Sequence, residues 1–388
     1  MDPWQWIETE LLRLDRAGLL RHRQVRQSCQ QAHIRLGEKW LVNFSSNDYL
    51  GLAAPLGRYA AQLVEEGWGS GASGLISGYS SAHQELEHLL AEWEQAEAAL
   101  VFSSGYAANT GMISALAGRG DVVLSDERNH ASIIDGCRLS GAEVRIYRHA
   151  DPEHLEEQLK TAGGYRRRLI VSDSVFSMDG DVAPLEAIAE LAERYGAMVL
   201  IDEAHATGVF GTQGRGAVHR AGLNERLKVR VGTLSKALGG IGGFVVGPER
   251  VIQWAVQRAR SYFFSTALPD LAVRVACQAV SWVRQAEPAR QHLWQLAARL
   301  RSGLRQMGWN LGRSSSQILP VLIGDPATTM DYAQRLRHAG FLVPGIRPPS
   351  VPPGESLLRI SLSAAHSCED IDRLLEAMSR LEVPVPPA

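Results

Sequence analysis

The chain has 388 residues, 45% hydrophobic, 21% charged and 7% aromatic; these globular proportions exclude disorder, collagen and coiled coil as the main architecture. Forty basic against 42 acidic side chains leave a net charge of −2, without the basic excess of a nucleic-acid binder. Apolar stretches break well before the roughly 18 residues of a membrane span; residues 268–283, for example, contain Asp270 and Arg274.

The start, MDPWQWIETELLRLDR, is acidic and then amphipathic, unlike a signal peptide. Cys29, Cys137, Cys277 and Cys368 stand far apart with no CxxC pair, the pattern of a reduced cytoplasmic enzyme rather than a zinc site or disulfide framework. At about 150 residues per domain the length points to two or three domains.

In chain order, the first 45 residues read as a helix and then a short strand pair at 32–44. Residues 67–81, GWGSGASGLISGYSS, are too rich in glycine for a helix and read as a loop. Helical segments at 83–95, 106–116, 131–139, 153–160 and 184–195 then alternate with strand-like runs at 99–102, 121–125, 144–147, 169–172 and 198–201. Pro184 suits a helix start. Two more β runs follow at 229–232 and 243–246. This alternation builds βαβ units and a mainly parallel sheet, so the expected class is α/β. A helical tract at 270–307 leads to a smaller α+β region: ILPVLIG, a helix, FLVPGIRPP, LLRISLS, a closing helix and a frayed PVPPA tail. The expected organisation is an N-terminal segment 1–45, a large domain 46–285 and a small C-terminal domain 286–388.

Several motifs mislead. Gly69-Ser-Gly71-Ala-Ser-Gly74 matches GxGxxG, but the preceding RYAAQLVEEG has helical spacing where a dinucleotide site needs a strand. Asp202-Glu203-Ala204-His205 spells DEAH, yet the chain has no Gly-Lys dipeptide and hence no phosphate loop for nucleotide hydrolysis. GxSxG and HExxH are absent, which disfavours a hydrolase elbow and a zinc site. No metal is expected.

Only four of the 40 basic residues are lysines. Lys39, Lys160 and Lys228 lie among charged or turn residues. Lys236, in VRVGTLSKALGGIGG, follows an apolar strand among Gly, Ala and Leu; a lysine desolvated there becomes a usable amine nucleophile. Asp202 ends the apolar run AMVLID, at the strand end where α/β sheets bind ligands. A buried carboxylate there needs a cationic partner, which a pyridinium nitrogen or an arginine supplies; taken alone, it is equally a helix cap. His205, three residues on, reaches toward the same place, although a lone loop histidine is usually just satisfied locally. Ser103-Ser104-Gly105-Tyr106-Ala107 opens a helix after a strand, where exposed amides form a phosphate site. Thr233 and Ser235 add hydroxyls, and His130 sits at another strand end, where an imidazole stacks on an aromatic ring. Lysine amine, carboxylate, phosphate cradle and ring-facing histidine together are the parts of a pyridoxal 5′-phosphate (PLP) site.

The motifs NFSSNDYLGL (43–52), GSGASGLISGYSSAHQELE (69–87), FSSGYAANTG (102–111), NHAS (129–132), DSVFSMDGDVAPL (173–185), IDEAHATGVFGTQGRG (201–216), GTLSKALGG (232–240) and AGFLVPGIRPPSVPPGESLLRISLSAAH (339–366) resemble the α-oxoamine synthases, fold-type I PLP-dependent transferases, over nearly the whole chain. The resemblance implies that Lys236 carries the cofactor, Asp202 keeps its ring nitrogen protonated, His205 bonds the ring oxygen and His130 stacks on the ring. It places Gly105, Tyr106, Ala107 and Thr233 around the phosphate and Ser177 near the phenolic edge. Substrate falls to Arg21, Asn47, His130, Arg347 and Ser350, with Arg347 or Arg359 as the carboxylate clamp. Family members are homodimers with the site at the subunit interface, so FSTALP (264–269) is expected to reach the partner's phosphate. NFSSNDYLGL and IRPPSVP most resemble the member that joins L-alanine to pimeloyl-CoA or a pimeloyl-carrier protein. Ser350 stands where that member often has threonine and keeps the hydroxyl. A relative using glycine or serine with another acyl-CoA is the alternative.

Overall fold

The structure, a computed structural model, describes residues 2–63 and 68–384. Gly67 of the expected loop and residues 385–388 of the expected tail lie outside them. The chain divides into two compact units, residues 1–46 with 294–388, and residues 47–293.

The larger unit is built on seven strands. They are β3 (Ala98–Phe102), β4 (Val122–Asp126), β5 (Glu143–Tyr147), β6 (Arg168–Asp173), β7 (Met198–Asp202), β8 (Val229–Thr233) and β9 (Gly243–Gly247). Their order is β3-β9-β8-β7-β6-β4-β5. Only β9 runs against its neighbours; β8, β7, β6, β4 and β5 pair in parallel. All five residues of β4 and of β9 are buried, as expected of strands covered on both faces. On one face Met112 and Ile113 of the helix Gly105–Leu116 and Ile133 of the helix Ala131–Ser140 pack with Val123, Val171, Leu200 and Val231.

This topology makes one edge of the sheet chemical. Because β4, β6, β7 and β8 are parallel, Asp126, Asp173, Asp202 and Thr233 all end at that edge, with Asp173 and Asp202 in register. Antiparallel β9 brings its first residue, Gly243, there too, opposite Thr233 and Phe102. The second carboxylate of the DEAH stretch turns away from this edge. Glu203 accepts the Ala217 and Val218 N–H groups at 2.8 and 2.7 Å and the Ser174 hydroxyl at 3.1 Å, so it caps the following short helix.

The helical tract expected over 270–307 is two helices, Asp270–Gln285 and Glu287–Gln306, separated at Ala286. Pro288 supplies the reason, since it lacks an N–H and its ring clashes with the carbonyl four residues earlier. The helices Ala53–Ala60 and Glu249–Arg258 are additions to the sequence-based assignment. In the smaller unit, β1 (His33–Leu36) pairs antiparallel with β2 (Lys39–Asn43), which pairs in parallel with β11 (Phe341–Leu342). β10 (Ile318–Gly324), β13 (Ser356–Ser361) and β12 (Gly345–Ile346) form a second, antiparallel sheet. Among the described residues no helix is long and apolar enough to cross a membrane.

A buried ionic bridge ties the loops beyond β4, β5 and β6 together. His149 Nδ1 lies 3.0 Å from Asp126 and Nε2 3.0 Å from Asp181, with Phe176 edge-on at 4.4 Å. Burial alone pushes this imidazole down, but hydrogen bonds to the two carboxylates, and their charges, outweigh it and lift it to about 9. Asp179 approaches His149 and Asp181 closely enough for a metal cluster. A protonated imidazole, however, has no lone pair for a metal, and Asp179 pairs with Arg128 at 2.6 Å.

The folded value exceeds the ordinary 6.5, so the bridge stabilises fully below about pH 6.5 and is lost as pH rises through about 9. Urea unfolding from pH 6 to 9.5 is expected to show an alkaline loss on the order of 3 kcal/mol. His149→Gln should start less stable and lack most of that pH dependence. An equal alkaline loss in both chains would rule the bridge out as its source.

Candidate active site

Thr233 closes β8, and the chain then turns tightly: the Gly239 N–H donates to the Lys236 carbonyl and the Gly240 N–H to that of Leu234, each at 2.8 Å. Ala237 and Leu238 are buried by this turn, which leaves Lys236 half-buried at the sheet edge. Its Nζ is 2.8 Å from His205 Nε2. His205 belongs to the turn after β7 and is buried. Its Nδ1 is 2.6 Å from the Tyr49 hydroxyl, which also lies 3.2 Å from Asn47 Oδ1.

One strand away, Asp202 is 4% exposed. Its Oδ1 accepts the Ala204 N–H at 2.7 Å and its Oδ2 the Asn109 amide at 2.5 Å. Asn109 also donates to the Ser132 hydroxyl at 2.9 Å. Ser132 in turn lies 2.7 Å from His130 Nδ1, which also accepts the Ser132 N–H at 3.2 Å. Nδ1 is therefore an acceptor, and the ring proton resides on Nε2. The protein packed around His130 pushes its imidazole below its ordinary value; Asp202 opposes this and Lys236 reinforces it. The His130 N–H donates to Asp173 at 2.7 Å. Burial, and then the charge of neighbouring Asp202, hold Asp173 well above the carboxylate range.

The anion cradle lies beside Thr233. Ser104 caps the helix Gly105–Leu116, its hydroxyl accepting the Ala107 N–H at 3.0 Å. A β-carbon on Gly243 would fall 2.4 Å from the Gly105 nitrogen, so only glycine lets this helix start approach the sheet so closely. A β-carbon on Gly105 would meet Thr233 at 3.4 Å. Thr233 Oγ1 donates to the Gly242 carbonyl at 3.0 Å and accepts from the Ser235 hydroxyl at 2.8 Å. Tyr106 is exposed and its hydroxyl donates to Asp135. Ser177 lies in the turn between Val175 and Val182, which bridge each other.

The expected substrate residues outside this unit form a set of their own. In the smaller unit Arg21 Nη2 donates to Ser350 Oγ at 3.1 Å and Arg347 Nη2 to the Leu20 carbonyl at 3.2 Å. Among the described residues Arg347 Nε is buried without a hydrogen-bond partner. Arg359 is buried on β13. Asn47 belongs with Lys236 in the larger unit. The FSTALP stretch pairs with the glycine-rich loop, Thr266 bridging Ser73 and the Ala267 N–H donating to the Ala72 carbonyl at 3.0 Å.

Four residues at the site carried no expectation: Tyr49, Asn109, Ser132 and Asp173. Three of them lie 156, 93 and 43 residues from the groups they contact. Only Ser132, two residues from His130, offered a local signal, and its motif NHAS was read for the histidine alone.

The donor set fits PLP. An amine, a buried carboxylate held by two neutral donors, a helix N-terminus with an adjacent hydroxyl and an imidazole beside the amine match an aldehyde, a ring nitrogen, a phosphate and a phenolic oxygen.

The profile of the aminotransferase class I and II family matches residues 39–378. The chain is 47% identical over 386 residues to an 8-amino-7-oxononanoate synthase of Anaeromyxobacter dehalogenans, covering 99% of this chain and 97% of that one. It is 46% identical over 379 residues to that of Aromatoleum aromaticum, with 97% and 98% covered. Among solved structures, a serine palmitoyltransferase variant from S. paucimobilis with a bound PLP–myriocin aldimine superposes with a TM-score of 0.91 at 33% identity, over 97% of this chain and 96% of that one. The expected α/β, fold-type I architecture is the observed one, and the chain belongs to the aminotransferase class I and II family and, within it, to the 8-amino-7-oxononanoate synthases.

Proposed function

We propose that this chain condenses L-alanine with pimeloyl-CoA, or with a pimeloyl-carrier protein. The reaction forms 8-amino-7-oxononanoate, releases carbon dioxide and the free thiol carrier, and serves biotin biosynthesis. The enzyme works with PLP, in the cytoplasm and as a homodimer, its cofactor domain lying within 46–285. The observation that carries this reading is the convergence of the Lys236 amine, 2.8 Å from His205, with buried Asp202 at one sheet edge, in a chain 47% identical to a synthase of that name.

When bound, the cofactor supplies an electron-poor ring that takes up the electron pair of the broken bond at the amino-acid α-carbon. In this reading Lys236 Nζ anchors it at rest. With its amine free, Lys236 would take the α-proton of alanine and later return a proton to the product. Asp202 would hold the proton on the ring nitrogen; among the described residues its oxygens meet neutral donors, which leaves its charge for that cation. His205 Nε2 serves the phenolic oxygen, His130 backs the ring face, and Ser177 contacts the phenolic edge. The amides of Gly105, Tyr106 and Ala107, with Thr233, hold the phosphate through the helix terminus. Arg347 or Arg359 clamps the alanine carboxylate, and Arg21, Asn47, His130 and Ser350 complete the substrate contacts. The FSTALP stretch serves the partner subunit's phosphate.

The test is product formation by the purified, PLP-loaded protein with pimeloyl-CoA and each of L-alanine, glycine and L-serine, read by mass spectrometry. L-Alanine is expected to lead glycine by about 10- to 200-fold in kcat/KM, the worth of one methyl group in a fitted pocket. Turnover led by glycine or serine would move the substrate to a relative's.

Lys236→Ala should lose about 100- to 10,000-fold in kcat and retain PLP with no borohydride-trappable bond to the chain. Undiminished turnover would remove Lys236 from its role. Asp202→Asn should lose about 100- to 1000-fold in kcat while unfolding near the parent Tm. A kcat within a few-fold of the parent would show that the ring nitrogen does not depend on this charge.

A further inference from the structure

Tyr49 is fully buried and sits in none of the roles above. A single turn places it: the Tyr49 N–H donates to the Asn47 carbonyl at 2.8 Å. The Asp48 carboxylate accepts the Leu52 and Ala53 N–H groups at 2.9 and 3.2 Å. The hydroxyl thus aimed completes a line of polar atoms, Asn47 Oδ1, Tyr49 Oη, His205 Nδ1, His205 Nε2 and Lys236 Nζ, with contacts of 3.2, 2.6 and 2.8 Å between residues.

Such a line has two consistent proton arrangements. When Lys236 is an ammonium it donates to Nε2. Nδ1 then carries the ring proton and donates to Tyr49, whose O–H donates to Asn47. When Lys236 is a neutral amine, Nε2 carries the proton and donates to it, and the Tyr49 O–H donates to Nδ1. Passing from the first to the second, Lys236 loses one proton, His205 changes tautomer and the Tyr49 O–H turns from Asn47 to Nδ1. The proton given up by half-buried Lys236 goes to solvent, and the Asn47 amide oxygen only accepts a hydrogen bond. We infer that Tyr49 is a positioning residue that couples the tautomer of His205 to the protonation of Lys236, so that the imidazole presents Nε2 as an acceptor to the charged lysine and as a donor once the amine is free. This rests on the PLP reading only for its use in turnover; the coupling is a property of the chain itself.

The test uses the full-length chain stripped of cofactor, parent and Tyr49→Phe, and reads the pH dependence of reductive methylation at each lysine by peptide mass spectrometry. Lys39, Lys160 and Lys228 are internal controls, and Lys160 and Lys228 are well exposed. Phenylalanine keeps the ring packed beside His205, whose centroid is 6.0 Å away, and removes the hydroxyl. The charge-assisted arrangement loses more than the neutral one. The Lys236 midpoint should therefore fall by about one pH unit, with the controls unmoved. The other titratable groups around the line, Asp48, His130, Asp173 and Asp202, are common to both chains and cancel. A folded Tyr49→Phe whose Lys236 midpoint matches the parent overturns the proposal.

Should Tyr49→Phe fail to fold, 15N-histidine NMR of the unsubstituted chain decides. The His205 signal, identified by its loss in His205→Gln, should pass from the Nδ1–H to the Nε2–H form across the Lys236 titration. A single tautomer throughout overturns the proposal. Neither measurement involves substrate, so a failure of the synthase reading would show in the product assay and not here.

Discussion

The structure of the larger unit turns on one buried negative charge. Asp202 ends the central strand β7, nearly without solvent, and a carboxylate so placed costs several kcal/mol unless something answers it. Among the described residues the answer is orientation, with no cationic side chain hydrogen-bonded to either oxygen. Asn109 and the Ala204 amide hold the two oxygens. In-register Asp173 is pushed up, by burial and then by the Asp202 field, because two carboxylates on adjacent strand ends do not both ionise cheaply. His130, tied to Asp202 through Ser132 and Asn109, is pushed toward its neutral form. Burial and the field of Asp202 thus work against a second negative charge beside it.

The parallel sheet is what brings these groups together. Strands that all end at one edge bring Asp126, Asp173, Asp202 and Thr233 side by side from positions spread over more than a hundred residues. The same edge would be a liability if every carboxylate there stayed charged and unmatched. Each has its own resolution. Asp126 joins the His149 bridge, Asp173 takes the His130 amide, and Glu203, next along the chain, spends its oxygens on two amides and a serine. What looks in the sequence like one acidic motif is in the fold a division between a carboxylate at the sheet edge and a helix cap.

How much of this was legible depended on how local each signal was. Lys236 stood out because three of four lysines had charged neighbours and it had none, and the apolar run into Asp202 announced a strand end. The βαβ alternation gave the sheet its class, and the motif resemblance carried roles that spacing alone left open. The break at Ala286 escaped because apolar periodicity continues across Pro288 while the backbone does not. Tyr49 and Asn109 escaped for a different reason. Each acts on a residue far along the chain, and each sits in a stretch whose glycines or neighbouring asparagine drew the attention. A side chain whose role is to orient another leaves no periodic or compositional trace.

Orientation also explains why so much of the site is neutral. His130 keeps its ring proton on Nε2 because Nδ1 is occupied by Ser132, and Asn109 can reach both Ser132 and Asp202 only with its amide nitrogen turned toward them. Every member of that chain therefore has a single proton arrangement, and the acceptor that ends it is Asp202. The line from Asn47 to Lys236 is built the other way. Its members, a hydroxyl, an imidazole and an amine, can each donate or accept, so it has two arrangements where the first has one. The sheet edge places the two kinds of network on adjacent strand ends, β7 and β8; in the proposed reaction one would hold a proton on a ring nitrogen while the other moves a proton on and off Lys236.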